Sequence, residues 1–96
     1  MKIPKSIPCA SHEFKCRFRK NLIRDFACRG QVVFPMFEVL LDDTLEGTHL
    51  ASVFWHEVFH IIDRIYCNQG ISEEDIASLA EGMAQVTQSM GITFER

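Results

Sequence analysis

The chain has 96 residues, of which 47% are hydrophobic and 24% are charged, and its formal net charge at pH 7 is −3. This length fits one small domain over residues 1–96, and the composition is typical of a soluble globular protein, which excludes a disordered chain, a collagen-like repeat or a coiled coil. The apolar run at 32–41 is interrupted by Pro35 and Glu38 and is far shorter than the roughly 20 residues that span a bilayer, and no apolar secretory segment follows Lys2 and Lys5.

The first third of the chain predicts one half-buried strand. Residues 1–11 contain Pro4 and Pro8 and predict an extended lead-in. Between His12 and Arg19 apolar and charged side chains alternate, which is the period of a strand with one buried face. The segment Asn21–Cys28 has apolar residues at helical spacing but is short, so it predicts a turn or a single helical turn.

Charge is distributed unevenly along the chain. Residues 1–29 have eight lysines and arginines against two acidic residues, whereas residues 30–96 have two against eleven. A basic first third can mark a nucleic-acid contact, but it more often indicates a solvated strand face, which is the interpretation we prefer here. A nucleic-acid partner would be bound by Lys15, Arg17, Arg19, Lys20, Arg24 and Arg29.

The four cysteines predict no structural zinc knuckle, because no two of them are spaced as C-x-x-C. Without an export signal we expect reduced, mostly buried thiols. They are Cys9, Cys16, Cys28 and Cys67.

Two β-rich runs, Gln31–Phe34 and Phe37–Leu41, flank the dipeptide Pro35-Met36 and predict a hairpin. The proline removes one donor from the ladder, so it belongs at the turn or at an edge. Together with the helices that follow, these runs predict an α+β fold: a small antiparallel sheet of two to three strands followed by two packed helices.

The first of these helices is predicted to begin at Thr44 or Thr48, either of which is a suitable N-cap, and to reach about Cys67. A glycine stop in Asn68-Gln69-Gly70 closes it. The second helix is predicted to begin after Ser72 as N-cap and to end at Gly91. Its predicted core stripe is Ile76, Leu79, Met83, Val86 and Met90.

One motif in the first helix carries chemistry: the residues from His56 to His60 form an H-E-x-x-H sequence. Residues four apart on a helix lie on one face about 5–6 Å apart, so these two imidazoles can bind one zinc ion. Glu57 is rotated by about 100° from His56, near the open position of the metal, where a carboxylate can take a proton from metal-bound water. Such a cation also provides the partner that two imidazoles and a carboxylate need among apolar neighbours.

A zinc site needs a third protein ligand, for which we expect Glu81, with Asp63 as the rival. The metzincin pattern would need glycine at 63 and histidine at 66, where this chain has Asp63 and Tyr66. Glu81 lies on the second helix, twenty-one positions after His60. Small neighbours would let the two helices approach closely enough for its carboxylate to reach the ion; they are Ala77, Ala80, Gly82 and Ala84.

Other polar residues are candidates for supporting roles. Histidines that bind a metal usually donate their second N–H to an acceptor, and Asp63 and Gln85 are the candidates here. Tyr66, His49 or His12 could stabilise an oxyanion, and their positions alone do not choose among them.

The segments W-H-E-V-F-H-I-I-D at Trp55–Asp63 and S-E-E-D-I-A-S-L-A-E-G-M-A-Q at Ser72–Gln85 resemble the small gluzincin-type metallopeptidases. These include the ImmA/IrrE and SprT-like proteins of bacteria and phages. The opening M-K-I-P-K-S and the strand at 12–19 also resemble short phage-encoded members.

The resemblance implies a minimal zincin-like core in which His56, His60 and Glu81 bind Zn²⁺ and Glu57 is the general base. Thermolysin-like members have an aspartate four residues after the glutamate ligand, where this chain has Gln85.

We therefore expect a zinc-dependent metallopeptidase in the cytoplasm, or in the host cytoplasm if the chain is phage-encoded. It would hydrolyse peptide bonds with a metal-activated water, and an exposed strand edge at Phe37–Leu41 would hold the protein or peptide substrate by backbone pairing. The alternative is a non-catalytic domain in which zinc only stabilises the fold and the surface binds another protein.

Overall fold

Four strands and three α-helices make up the computed structural model, which describes every residue from Met1 to Arg96. The strands are β1 (Ser6–Cys9), β2 (His12–Arg19), β3 (Gly30–Val33) and β4 (Glu38–Asp42). The α-helices are α1 (Leu22–Phe26), α2 (Gly47–Tyr66) and α3 (Glu73–Ser89), and a 3-10 turn at Phe34–Met36 separates β3 from β4. The predicted α+β class, the single helical turn and the hairpin around Pro35 are confirmed.

The strands form one mixed sheet in the order β1-β2-β4-β3. β1 lies in the predicted lead-in and pairs antiparallel with β2, and β3 pairs antiparallel with β4. The central pair, β2 and β4, is parallel, because α1 and β3 intervene and return the chain in its original direction. The sheet is therefore larger than predicted and not purely antiparallel. Since β4 is a central strand, the expected free edge at Phe37–Leu41 is wrong, and β3 is the edge on that side.

The hydrophobic core lies between the sheet and α2, with α3 packed on the far side of α2. Alternate residues of the central strands point into this core, as the alternation in the sequence predicts: Phe14, Val39 and Leu41 are almost fully buried. The helix contributes Leu50, Phe54 and other apolar side chains from a broad face. This arrangement holds α2 against the sheet and leaves one of its sides facing a cleft.

The ends of α2 differ in detail from the prediction. Neither Thr44 nor Thr48 is the N-cap, which is Glu46 without a side-chain hydrogen bond. The Thr44 hydroxyl instead donates to the carboxylate of Asp42. The helix ends at Tyr66, one residue before the predicted end.

Left-handed backbone after α2 is supplied by Asn68 and Gln69, with φ angles of 53° and 57°, so the glycine stop predicted at Gly70 is wrong. Asparagine tolerates this conformation better than most residues because its short amide bonds locally to the backbone. The chain can therefore reverse direction before it reaches Gly70.

The predicted ends of α3 are confirmed, but its buried face is not. The hydroxyl of Ser72 accepts a hydrogen bond from the Asp75 N–H at 3.1 Å, and Gly91 follows the helix with φ 81°. The buried residues are Ile76, Ala80, Ala84 and Thr87, whereas Leu79, Val86 and Met90 of the predicted stripe are exposed. The alanines allow close packing on α2, and this rotates the buried face away from the larger apolar side chains.

Gly82 is exposed, and a side chain added there would meet no atom within 4 Å, so its predicted role in the close approach of the two helices is wrong. All four cysteines are free, but Cys67 is exposed and the other three are only half-buried. No helix combines the length and the apolar character needed to cross a membrane.

Candidate metal centre

The two histidines of the H-E-x-x-H motif lie side by side on the cleft face of α2. Their ring centroids are 4.8 Å apart, as expected for residues one helical turn apart. Both side chains are partly exposed, whereas the neighbouring Glu57 is buried. The helix therefore presents two imidazole nitrogens to the cleft with a buried carboxylate beside them.

Glu73, the first residue of α3, brings its carboxylate to both imidazoles. Its Oε1 lies 2.6 Å from Nε2 of His56, and its Oε2 lies 3.0 Å from Nε2 of His60. Ligand atoms of these three residues all lie within 4.8 Å of one another. No other cluster of three histidine, cysteine or acidic side chains in the chain has this geometry.

This donor set fits a divalent cation. Zinc–nitrogen and zinc–oxygen bonds of about 2.0–2.2 Å in a tetrahedron place the donor atoms roughly 3.3–3.5 Å apart. To reach this spacing, the His56–Glu73 distance of 2.6 Å would have to open by roughly 0.7–0.9 Å and the His60–Glu73 distance of 3.0 Å by roughly 0.3–0.5 Å, which small side-chain rotations can supply. With three protein ligands, a tetrahedral ion would keep one position open toward the cleft.

Glu57 is positioned by β3 as well as by its own helix. Its side chain is 6% exposed, and a methyl group added at Gly30 would lie 3.0 Å from its Oε2. Burial, and secondarily the charge of Glu73, raise the pKa of Glu57 to about 8 in the metal-free protein. The absence of a side chain at position 30 thus lets the sheet edge lie directly on this carboxylate.

Glu81, the predicted third ligand, lies in the same cleft but not in this cluster. Its Oε1 accepts a hydrogen bond from the hydroxyl of Ser52 at 2.8 Å. The helices are antiparallel, so that eight residues back along α2, from His60 to Ser52, correspond to eight residues forward along α3, from Glu73 to Glu81. In this register Glu81 faces a point one turn before His56, and Glu73 rather than Glu81 lies beside the two imidazoles.

Asp63, the predicted rival ligand and supporting acceptor, is buried and occupied elsewhere. Its Oδ1 accepts the backbone N–H of Ile71 at 3.0 Å, and its backbone carbonyl accepts the N–H of Gln69 at 3.1 Å. These bonds fix the loop between α2 and α3, two residues before Glu73. Asp63 therefore positions the carboxylate of Glu73 rather than joining the cluster itself.

The remaining predicted site residues are spread over the molecule. Gln85 is exposed and lies twelve residues along α3 from Glu73, about 18 Å, so it is too distant to support these histidines. Tyr66 is 65% exposed at the end of α2, and His12 stacks on Phe37 at 4.4 Å. Of the three oxyanion candidates, His49 alone lines the cleft.

Three of the six predicted nucleic-acid-binding cations contact acidic or aromatic side chains of the protein itself. Arg17 pairs with Glu38, Arg24 pairs with Asp25, and the guanidinium of Arg19 lies 4.5 Å from the Phe26 ring centroid. Such contacts are those of a solvated sheet face and its border.

The cluster opens into a cleft of about 640 Å³. One wall is the segment from Ala27 to Gly30, the floor is α2, and the other wall is α3. A smaller hollow of about 290 Å³ continues past the histidines along β3 toward Phe34. The candidate metal centre therefore lies midway along a groove that runs beside the sheet edge.

Sequence reasoning missed Glu73 and Gly30. Glu73 is absent from the predicted ligands, although a loop of six residues between antiparallel helices places the first turn of α3 opposite the last turns of α2. That short loop was the available signal. For Gly30, nothing in the sequence indicates contact with Glu57, because the contact depends on how the sheet packs on α2.

Comparison of the chain with known protein families, with curated proteins and with solved structures finds no match in any of the three.

Proposed function

We propose that this protein is a zinc-dependent metallopeptidase in which His56, His60 and Glu73 hold the ion and Glu57 is the general base. The observation that carries the proposal is the cluster of three ligand groups within 4.8 Å at the side of an open cleft, with a buried carboxylate adjacent. The resemblance of the H-E-x-x-H segment to gluzincin-type metallopeptidases supports the same chemistry.

A zinc ion at this position would act as a Lewis acid, lowering the pKa of a water molecule and polarising a peptide carbonyl. The chain itself supplies proton transfer. Glu57 borders the cleft next to His56, where its carboxylate could accept a proton from a water bound at the metal position. It would take a proton from the attacking water and deliver it to the leaving amine.

The edge of β3 is suited to hold an extended substrate. The Asp42 N–H donates to the Arg29 carbonyl, so Arg29 and Asp42 form a hydrogen-bonded pair of the antiparallel ladder. Hydrogen-bonded and non-hydrogen-bonded pairs alternate along such a ladder, and the N–H and C=O groups of Gly30 and Val32 therefore point away from β4. Both residues border the groove beside the histidines. A peptide could therefore add to the sheet here, in place of the Phe37–Leu41 edge that the sequence suggested.

The direct test compares wild type with Glu57→Gln for zinc binding and for cleavage of an unfolded protein such as reduced casein. The variant should retain zinc, because Glu57 is not a ligand, and should lose hydrolysis. Retained cleavage by Glu57→Gln would reject its role as general base. Failure of the wild type to bind zinc would reject the proposal as a whole.

A second candidate function is a zinc-stabilised interaction domain without catalysis. It is supported by the way the cluster joins two helices, since Glu73 belongs to α3 and both histidines belong to α2. A metal at such a junction stabilises a small fold. This alternative predicts a large rise in thermal stability on zinc addition with no cleavage of casein, whereas the metallopeptidase requires both binding and cleavage.

A further inference from the structure

Beyond the histidines, the groove ends at an arginine whose charge no carboxylate neutralises. A guanidinium nitrogen of Arg29 lies 2.9 Å from Nε2 of His49. Arginine has no acceptor, so Nε2 of His49 must be the accepting nitrogen and the imidazole is neutral in this contact. Arg29 forms no salt bridge, and both side chains line the cleft.

The position of this pair relative to the metal centre follows from the helix. His49 lies seven residues before His56 on the same face of α2, which is about 10 Å along the axis. An extended peptide advances about 3.3 Å per residue. The guanidinium therefore lies two to three residues from the peptide bond that the metal centre would cleave.

The direction of the substrate decides which of its residues reach Arg29. β3 runs from the Arg29 end of the groove toward Phe34, which lies beside His60. Antiparallel pairing is the more stable arrangement, and it places the residues after the scissile bond at the Arg29 end.

Glu81 lies on the opposite wall, but its carboxylate accepts the Ser52 hydroxyl and makes no ion pair with Arg29. It leaves the guanidinium free to bind an anion. The negative charge of Glu81 also repels an anion that lies near the α3 wall, so an anion in the cleft is favoured only beside Arg29 on the opposite wall.

We propose that Arg29, held in place by His49, is a substrate-binding residue that selects a carboxylate two or three residues after the scissile bond. This inference rests on the proposed function, because it takes the metal centre as the site of cleavage. The carboxylate has two sources: the C-terminus of a short peptide or the side chain of aspartate or glutamate. A planar guanidinium binds either one through charge-assisted hydrogen bonds.

The experiment measures binding rather than turnover. Peptide hydroxamates anchor on zinc, so calorimetry on the zinc-loaded protein can compare four probes that share a hydroxamate-leucine core and end in Ala-OH, Ala-NH₂, Glu-NH₂ or Gln-NH₂. In wild type, one acidic probe or both should bind roughly 10-fold or more tightly than the neutral partner, the range expected for a charge-assisted pair. Preference for Ala-OH identifies a C-terminal carboxylate, and preference for Glu-NH₂ identifies an acidic side chain.

Arg29→Gln should abolish this preference while leaving the affinity of the neutral probes unchanged. Arg24→Gln is the matched control, because Arg24 pairs with Asp25 and lies outside the cleft, and it should retain the preference. Equal binding of acidic and neutral probes to wild type, or an unchanged preference in Arg29→Gln, overturns the inference and leaves the metal centre standing. Absence of zinc binding, by contrast, removes the proposed function itself.

Discussion

The contact between Gly30 and Glu57 allows a test of the fold and of the site together. In Gly30→Ala the new methyl group would lie 2.8 Å from Cγ1 of Val53 and 3.0 Å from Oε2 of Glu57. Carbon atoms normally meet at about 3.5–4.0 Å, so the methyl group and Val53 must separate by roughly 0.7 Å or more. Val53 is buried and β-branched, and it has little freedom to rotate away.

Overpacking of this kind costs about 1–3 kcal/mol of unfolding free energy, which for a chain of this length lowers Tm by roughly 4–24 °C. The assay is thermal and urea unfolding of the metal-free protein, followed by circular dichroism at 222 nm. Gly82→Ala is the matched control, since nothing lies within 4 Å of its missing side chain and alanine favours a helix. It should raise stability by up to about 1 kcal/mol.

Opposite signs for the two substitutions are therefore expected. An unchanged stability of Gly30→Ala would refute the close packing of β3 on α2. In the zinc-loaded protein, Gly30→Ala should also reduce hydrolysis with little change in zinc affinity, because it displaces Glu57 and not the ligands.

Three further predictions concern polar groups that shape the fold. Asp63→Ala should weaken zinc binding roughly 10-fold and lower stability by about 1–3 kcal/mol, because the loop before α3 loses a buried acceptor. Asp63→Asn keeps an acceptor oxygen at this position and should retain most of the zinc affinity and most of the stability. If Asp63 were itself a metal ligand, either substitution would abolish zinc binding. The Thr44 hydroxyl and nearby backbone N–H groups donate hydrogen bonds to the Asp42 carboxylate, and these lower its pKa even though burial acts to raise it. The ionised carboxylate therefore stabilises the fold fully above the ordinary pKa of about 3.9, and this stabilisation is lost as the pH falls through the lower pKa of the folded state. In urea unfolding, Asp42→Asn should be less stable than wild type by about 1–3 kcal/mol at pH 7, and this difference should become smaller below about pH 4. The control Asp25→Asn should change stability little at either pH. Ser72→Ala removes the cap of α3 and should cost about 1 kcal/mol in the same assay, and Ser78→Ala, on the exposed side of that helix, should stay within about 0.5 kcal/mol of wild type.

Local chemistry made much of the fold predictable. Alternation identified β2, the Pro35 turn identified the hairpin, and Ser72 and Gly91 marked the ends of α3. Each of these signals depends on residues close together in the chain. The parallel pairing of β2 with β4 has no such signal, because it joins segments separated by α1 and β3.

The same distinction explains the site. The spacing of His56 and His60 fixes their relation because both belong to one helix. The third carboxylate depends on the register between two helices, and that register is set by the loop and by the alanine face of α3 rather than by the acidic residues themselves. Glu73 and Glu81 differ by two helical turns, and the sequence offers both.

Zinc affinity in Glu73→Gln and Glu81→Gln, measured by competition with a chromophoric chelator, tests the metal centre most directly. We predict that Glu73→Gln weakens zinc binding by more than about 100-fold, beyond the loss typical of a residue that only supports a ligand, and that Glu81→Gln stays within a few-fold of wild type. Loss of zinc in Glu81→Gln with full retention in Glu73→Gln would contradict the assignment of Glu73 and show that α2 and α3 adopt another register when the ion is bound.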